Sequence, residues 1–67
     1  MKVHVNSNET DLNESDLLFT LLKKLNLEEK RGIAVAVNAS VVPRKNWNEF
    51  ELKENDQVII IQAAQGG

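Results

Sequence analysis

Two glycines, Gly66 and Gly67, follow a strand-like run at the end of the chain. Glycine is entropically costly to order and packs nothing, so a structural end seldom needs two in succession. A segment that must thread a narrow channel does need them. Without Cβ atoms the backbone passes, and the last carboxylate stands open to attack or activation. A frayed end is the plain alternative. A carboxylate is a poor electrophile because its leaving group would be oxide. Making it reactive calls for ATP and an acyl adenylate. Fully extended, Ala63 to Gly67 reaches about 16–18 Å, enough to carry a carboxylate from a domain surface into another protein's cleft.

The rest of the chain offers little chemistry of its own. His4 is the one histidine, and cysteine is absent, which removes a thiolate nucleophile and sulfur held on a side chain. The three glycines are Gly32, Gly66 and Gly67, so there is no glycine-rich phosphate loop. No ligand cluster for a metal is visible, and the carboxylates are scattered over loops and helix ends. An ATP-binding partner must therefore supply activation, and the chain reads as a substrate or carrier rather than an enzyme. Arg44 and Lys45, after Pro43, can meet an acidic partner surface or stand solvated at a sheet edge. Trp47 reads as a packing residue under its loop, with an interface role as the alternative.

Composition narrows the setting. Sixty-seven residues make one small domain with a small core. Eight basic and ten acidic residues leave a net charge of −2, and the basic pairs are balanced by nearby acids, which argues against nucleic acid. Absence of cysteine suits a reducing cytoplasm. No apolar run approaches a membrane span, and no signal peptide is evident.

The elements that must position the tail follow from periodicity. Met1, Val3 and Val5 alternate with polar residues as in a strand, Asn6-Ser7-Asn8 is turn chemistry, and a second strand is expected near Thr10 to Leu12. Leu17, Leu18, Leu21, Leu22 and Leu25 form a helical stripe near Asp16 to Leu25. Ser15 is the expected N-cap, Asp16 sits in the first turn, and Asn26 closes the helix. Ile33 to Val37 reads as a central strand, Val41-Val42 as a strand ended by Pro43, Glu54-Asn55-Asp56 as a turn, and Val58 to Ile61 as the last strand. The fold class is α+β: a mixed sheet of ββαββ type plus a final strand, with one main helix on one face. Residues 1–62 form the domain and residues 63–67 a flexible tail.

Specific segments carry a resemblance. They are Ala36-Val37-Asn38, Val41-Val42-Pro43-Arg44 with Trp47 following, Asp56-Gln57-Val58-Ile59-Ile60 with Gln62, and Gly66-Gly67. With the strand and helix order they span the chain, and they resemble the sulfur carrier family of thiamin biosynthesis, the ThiS family, of ubiquitin-like β-grasp fold. The Val-Pro-Arg-x-x-Trp segment favours this branch over other Gly-Gly carriers. Asn55 stands where the family commonly has glycine, and Gln65 occupies a variable position before the glycine pair. The resemblance implies that a ubiquitin-activating-like adenylyltransferase (ThiF-type) uses ATP and magnesium to adenylate Gly67. A sulfur donor such as a cysteine desulfurase then supplies sulfur, and a thiazole synthase (ThiG-type) consumes the thiocarboxylate. Gly67 carries the sulfur, Gly66 gives access, and Arg44, Trp47 and Gln65 are candidate partner contacts. No cofactor is expected on the chain itself. A molybdopterin-type carrier, a protein modifier and an inert interaction domain are the alternatives.

Overall fold

The computed structural model describes residues 1–13 and 15–62. In chain order the elements are β1 (Lys2–Val5), β2 (Asn8–Asp11), α1 (Leu18–Lys24), β3 (Ile33–Val37), β4 (Ser40–Val41), a 3-10 turn (Arg44–Asn46) and β5 (Gln57–Gln62). The strands make one sheet in the order β2-β1-β5-β3-β4. β1 and β5 run parallel, and the other neighbours are antiparallel. The middle strand is thus β5, the one that leads to the glycine pair, while β3 lies beside it.

Alternation decides which face meets the helix. Val3 and Val5 of β1, Val35 and Val37 of β3, and Val58 of β5 all point inward and are buried. The apolar run of β3 resolves into inward valines and outward alanines, so one face is covered. Leu18, Leu21 and Leu22 of α1 close the core from above, each at 0% exposure. Leu12, Val42, Trp47 and Leu52 complete it from the connecting segments.

The helix starts later than the leucine stripe suggests. Ser15 and Asp16 lie outside α1, which begins at Leu18 with an extended Leu17 at its N-cap and no side-chain cap. Tertiary pairing is the reason. Leu17 bridges Glu51, Leu18 N donates to Phe50 O (2.8 Å), and Leu52 N donates to Asp16 O (2.6 Å). The segment that would have made the first helical turn is held as a strand-like strip instead. Ser15 still accepts a backbone bond, from Leu17 N at 3.1 Å. At the other end Asn26 closes the helix with φ 62. Asn26 N donates to Lys23 O and Leu27 N to Leu22 O, the paired bonds of a Schellman motif.

Both hairpins turn on two residues of positive φ, the geometry that matches strand twist. Asn6 and Ser7 (φ 49 and 74) join β1 to β2, and Asn38 and Ala39 (φ 50 and 72) join β3 to β4. β2 accordingly begins at Asn8, earlier than Thr10. Asn55, at φ 70, likewise occupies a left-handed position, which explains why glycine also suits that site. Alanine pays a steric cost there that asparagine partly avoids. Ala39→Gly is therefore expected to raise stability by about 0.5–1 kcal/mol, after the larger chain entropy of glycine is set against the relieved clash. A urea titration measures it, and a loss of stability would contradict the assigned turn.

Candidate functional site

The expected sulfur-carrying residue Gly67, its neighbour Gly66, and Gln65 lie outside the described residues, as does the expected flexibility of residues 63–67. What the structure provides is the platform from which they leave. β5 ends at Gln62 in the middle of the sheet, paired with Ile33 of β3.

The outer face of the sheet, opposite α1, is unusually apolar around this exit. Ile59 and Ile61 of β5 point outward at 41% and 59% exposure, and Val41 of β4 is 73% exposed. Register places Ile59 beside Ala36, Ala36 beside Val41, and Ile61 beside Ala34. These five residues form one patch spanning three strands. Scattered exposed hydrophobics are ordinary, but a contiguous group marks an interaction surface. Periodicity in β5 alone does not reveal it, because Val58 to Ile61 are all apolar and β-branched. His4 lies on the same face, half-buried between Glu9 and Gln57.

A polar lattice fixes the start of β5. Asn38 Nδ2 donates to Asp56 Oδ1 (2.9 Å), Gln57 N donates to Asn38 Oδ1 (3.0 Å), and Lys53 N donates to Asp56 Oδ2 (2.8 Å). Asp56 and Asn38 therefore tie the turn before β5 to the β3–β4 hairpin.

Arg44 and Trp47 are brought together, 4.5 Å from guanidinium carbon to ring centre. Trp47 is 2% exposed and belongs to the core, and its Nε1 donates to Val42 O at 2.9 Å. It is a central packing residue, more than the satellite that its loop position suggests. Arg44 is exposed, yet its nitrogens donate to Glu28 O (3.1 Å) and Lys30 O (2.6 Å). One planar fork thus pins the loop after α1 to the segment after β4. Arg44→Ala is expected to cost about 1 kcal/mol, the scale of an exposed charged hydrogen-bonding group stacked on a ring, and Arg44→Lys to recover only part of it. Chemical denaturation reads this out. An unchanged midpoint in Arg44→Ala would remove the clamp.

Other surfaces hold less. An open depression between β2 and α1 is lined by Leu12, Asn13, Ser15, Thr20, Lys23 and Lys24, and Lys24 Nζ is already spent on Asp11 O at 2.6 Å. Among the described residues no group of His, Asp and Glu is placed to hold a metal ion, and no helix is long and apolar enough to cross a membrane.

A five-stranded mixed sheet wrapped over one helix, with a central last strand, is the ubiquitin-like β-grasp fold. The chain belongs to the ThiS family, whose model matches residues 2–67. It is 34% identical over 47 residues to the sulfur carrier protein ThiS of Escherichia coli (strain K12), covering 70% of each chain. The crystal structure of the thiamine biosynthesis protein ThiS from Geobacter metallireducens superposes with a TM-score of 0.80 at 22% identity, covering 100% of both chains. The solution structure of a thiamine biosynthesis protein from the same organism gives 0.76 at 25% identity, covering 100% of this chain and 88% of that one.

Proposed function

We propose that this chain is a sulfur carrier for thiamin biosynthesis, and that the sulfur is borne by Gly67 as a thiocarboxylate. The observation that carries the reading is the junction of β5 with the tail. The central strand of a ThiS-family fold is followed by five residues ending in Gly66-Gly67. The chain acts as a protein substrate. An adenylyltransferase of the ubiquitin-activating type binds ATP and magnesium. A carboxylate oxygen of Gly67 attacks the α-phosphorus, pyrophosphate leaves, and the acyl carbon becomes electrophilic. The terminal sulfur of a persulfide, formed by a cysteine desulfurase, then attacks that carbon and expels AMP. Cleavage of the remaining S–S bond by a thiol frees the thiocarboxylate. A thiazole synthase takes the sulfur and returns Gly67 as a carboxylate.

Each part of the chain has a task in this cycle. Gly67 presents the reacting carbon. Gly66 lets the backbone enter a slot that a Cβ would block. The apolar outer face with Ile59, Ile61 and Val41 supplies the seat for partners. Arg44, held over Trp47, and Gln65 are proposed accompanying contacts. The absence of cysteine from the sequence fits a cargo held on the main chain, and a reducing cytoplasm keeps such a thioacid intact.

The test is ATP–pyrophosphate exchange catalysed by the cognate adenylyltransferase. The full chain is expected to support exchange, and Gly66→Val to depress it by at least about tenfold with an unchanged melting curve, since a branched side chain closes the slot without touching the core. Full activity in Gly66→Val would exclude threading. Exchange supported equally by the enzyme without the carrier would exclude Gly67 as the acceptor.

A further inference from the structure

The edge of β5 beside Asn6 carries a proposal about how the partner grips the chain. β1 is the shorter member of the parallel pair: it matches β5 only at His4↔Gln57 and Val5↔Val58. The chain then turns away at Asn6 and Ser7. Pairing nevertheless continues for two residues. Asn6 N donates to Val58 O at 2.9 Å. The Asn6 carboxamide then stands in for a peptide group: Ile60 N donates to its Oδ1 at 2.9 Å, and its Nδ2 donates to Ile60 O at 3.4 Å.

Alternate residues of a strand direct their N–H and C=O groups to the same side. Gln57 serves the β3 side through Asn38, while Val58 and Ile60 serve the β1 side. Gln62 comes next on the β1 side. Among the described residues its N–H and C=O have no partner there. An open strand edge of this kind is a template for another strand. Directly beside it, Ile59 and Ile61 are exposed on the outer face.

We propose that an extended segment of the enzyme that activates Gly67 adds to the sheet at this point. It takes up the line of β1 beyond Asn6, pairs with the main chain of Gln62, and lays apolar side chains on Ile59 and Ile61. The proposal rests on the carrier reading above, which names that enzyme as the partner. Position selects the occupant. Gly67 is the fifth residue beyond Gln62, so a catalytic site that reaches Gly67 lies within about 16–18 Å of this edge. Chemistry agrees: the outward row Ile59, Ala36, Val41 and the pair Ile61, Ala34 carry no charge, and strand addition draws affinity from main-chain bonds and specificity from alternate side chains. The Asn6 carboxamide ends the intramolecular pairing and leaves the next position free.

The chain is short enough for total chemical synthesis, which permits an ester in place of the Ile61–Gln62 amide. That change deletes one N–H and keeps every side chain. The expected result in ATP–pyrophosphate exchange is a rise in KM for the carrier of about tenfold, the scale of one main-chain hydrogen bond, with kcat and the melting temperature unchanged. Ile61→Ser is expected to raise KM in the same way. An ester between Ile60 and Ile61, which removes an N–H used by β3, is expected instead to lower the melting temperature. Equal KM for the Gln62 ester and the amide protein would overturn strand addition. So would sedimentation showing that the carrier alone forms a dimer that the ester disrupts, because the edge would then serve a second copy. If the all-amide protein supports no exchange, the carrier reading fails and this inference falls with it.

Discussion

A chain lacking Gly67 is expected to lose adenylation almost entirely while its fold and melting temperature stay as they are. Truncation leaves a carboxylate on Gly66, chemically the same group, but displaced by one residue, or about 3.3–3.6 Å. A near-attack geometry tolerates far less; even a 1 Å misplacement can cost about a hundredfold in rate. The core of the described residues runs from Val3 to Val58, and removing Gly67 takes no side chain from it. The comparison is therefore clean: pyrophosphate exchange measures the chemistry and calorimetry the fold. Adenylate formation at the normal rate would show that the reacting carbon is not fixed by chain length, and an inert interaction domain would become the better reading.

Leu21→Ala and Leu22→Ala are expected to produce the largest losses of stability, about 2–5 kcal/mol each. Both side chains are at 0% exposure, facing the inward valines of β1, β3 and β5. A domain of this length has a total stability of about 3–10 kcal/mol, so either change removes a large share of it. Leu25, only partly buried against the core, is expected to cost less when truncated. Trp47→Ala belongs with the severe group, since it empties a large core volume and leaves Val42 O without its indole donor. Urea midpoints decide the ranking. Near-neutral values at both Leu21 and Leu22 would refute the packing of α1 on the sheet.

Much of this architecture is legible in residue order. The leucine stripe locates α1, valine alternation locates β1, and Ile33 to Val37 coincides with β3. Turns announce themselves through asparagine: Asn6, Asn26, Asn38 and Asn55 all adopt positive φ. What escapes local reading is settled by distant partners. Ser15 and Asp16 carry good helix-start signals, yet Phe50, Glu51 and Leu52 pair with this strip and hold it extended. Trp47 follows a polar 3-10 turn, and only the approach of Val42 and α1 shows it to be core. Arg44 looks free in the sequence, but its targets are carbonyls of Glu28 and Lys30 contributed by another loop. The apolar outer patch is hidden for the same reason. Ile59 and Ile61 differ from Val58 and Ile60 only in the face they present, and the parallel pairing of β1 with β5 sets that face.

The candidate site divides in a similar way. Gly66-Gly67 and the family resemblance point to the tail without help from coordinates. The structure adds the platform: a central strand ending at Gln62, an uncharged outer face, and an edge where Asn6 stops the intramolecular ladder. A carrier needs both parts, since a reacting carboxylate without a docking surface would gain little from the enzyme's binding energy.

The most direct test of sulfur carriage is the intact mass of the chain after incubation with the cognate adenylyltransferase, ATP, magnesium, cysteine and a cysteine desulfurase. The expected product is heavier by the difference between one sulfur and one oxygen, with the change mapped to Gly67 by fragmentation and absent when ATP is withheld. A mass that stays at the carboxylate value under conditions in which the enzyme thiolates an established ThiS carrier, or a change that maps to any other residue, would contradict the account.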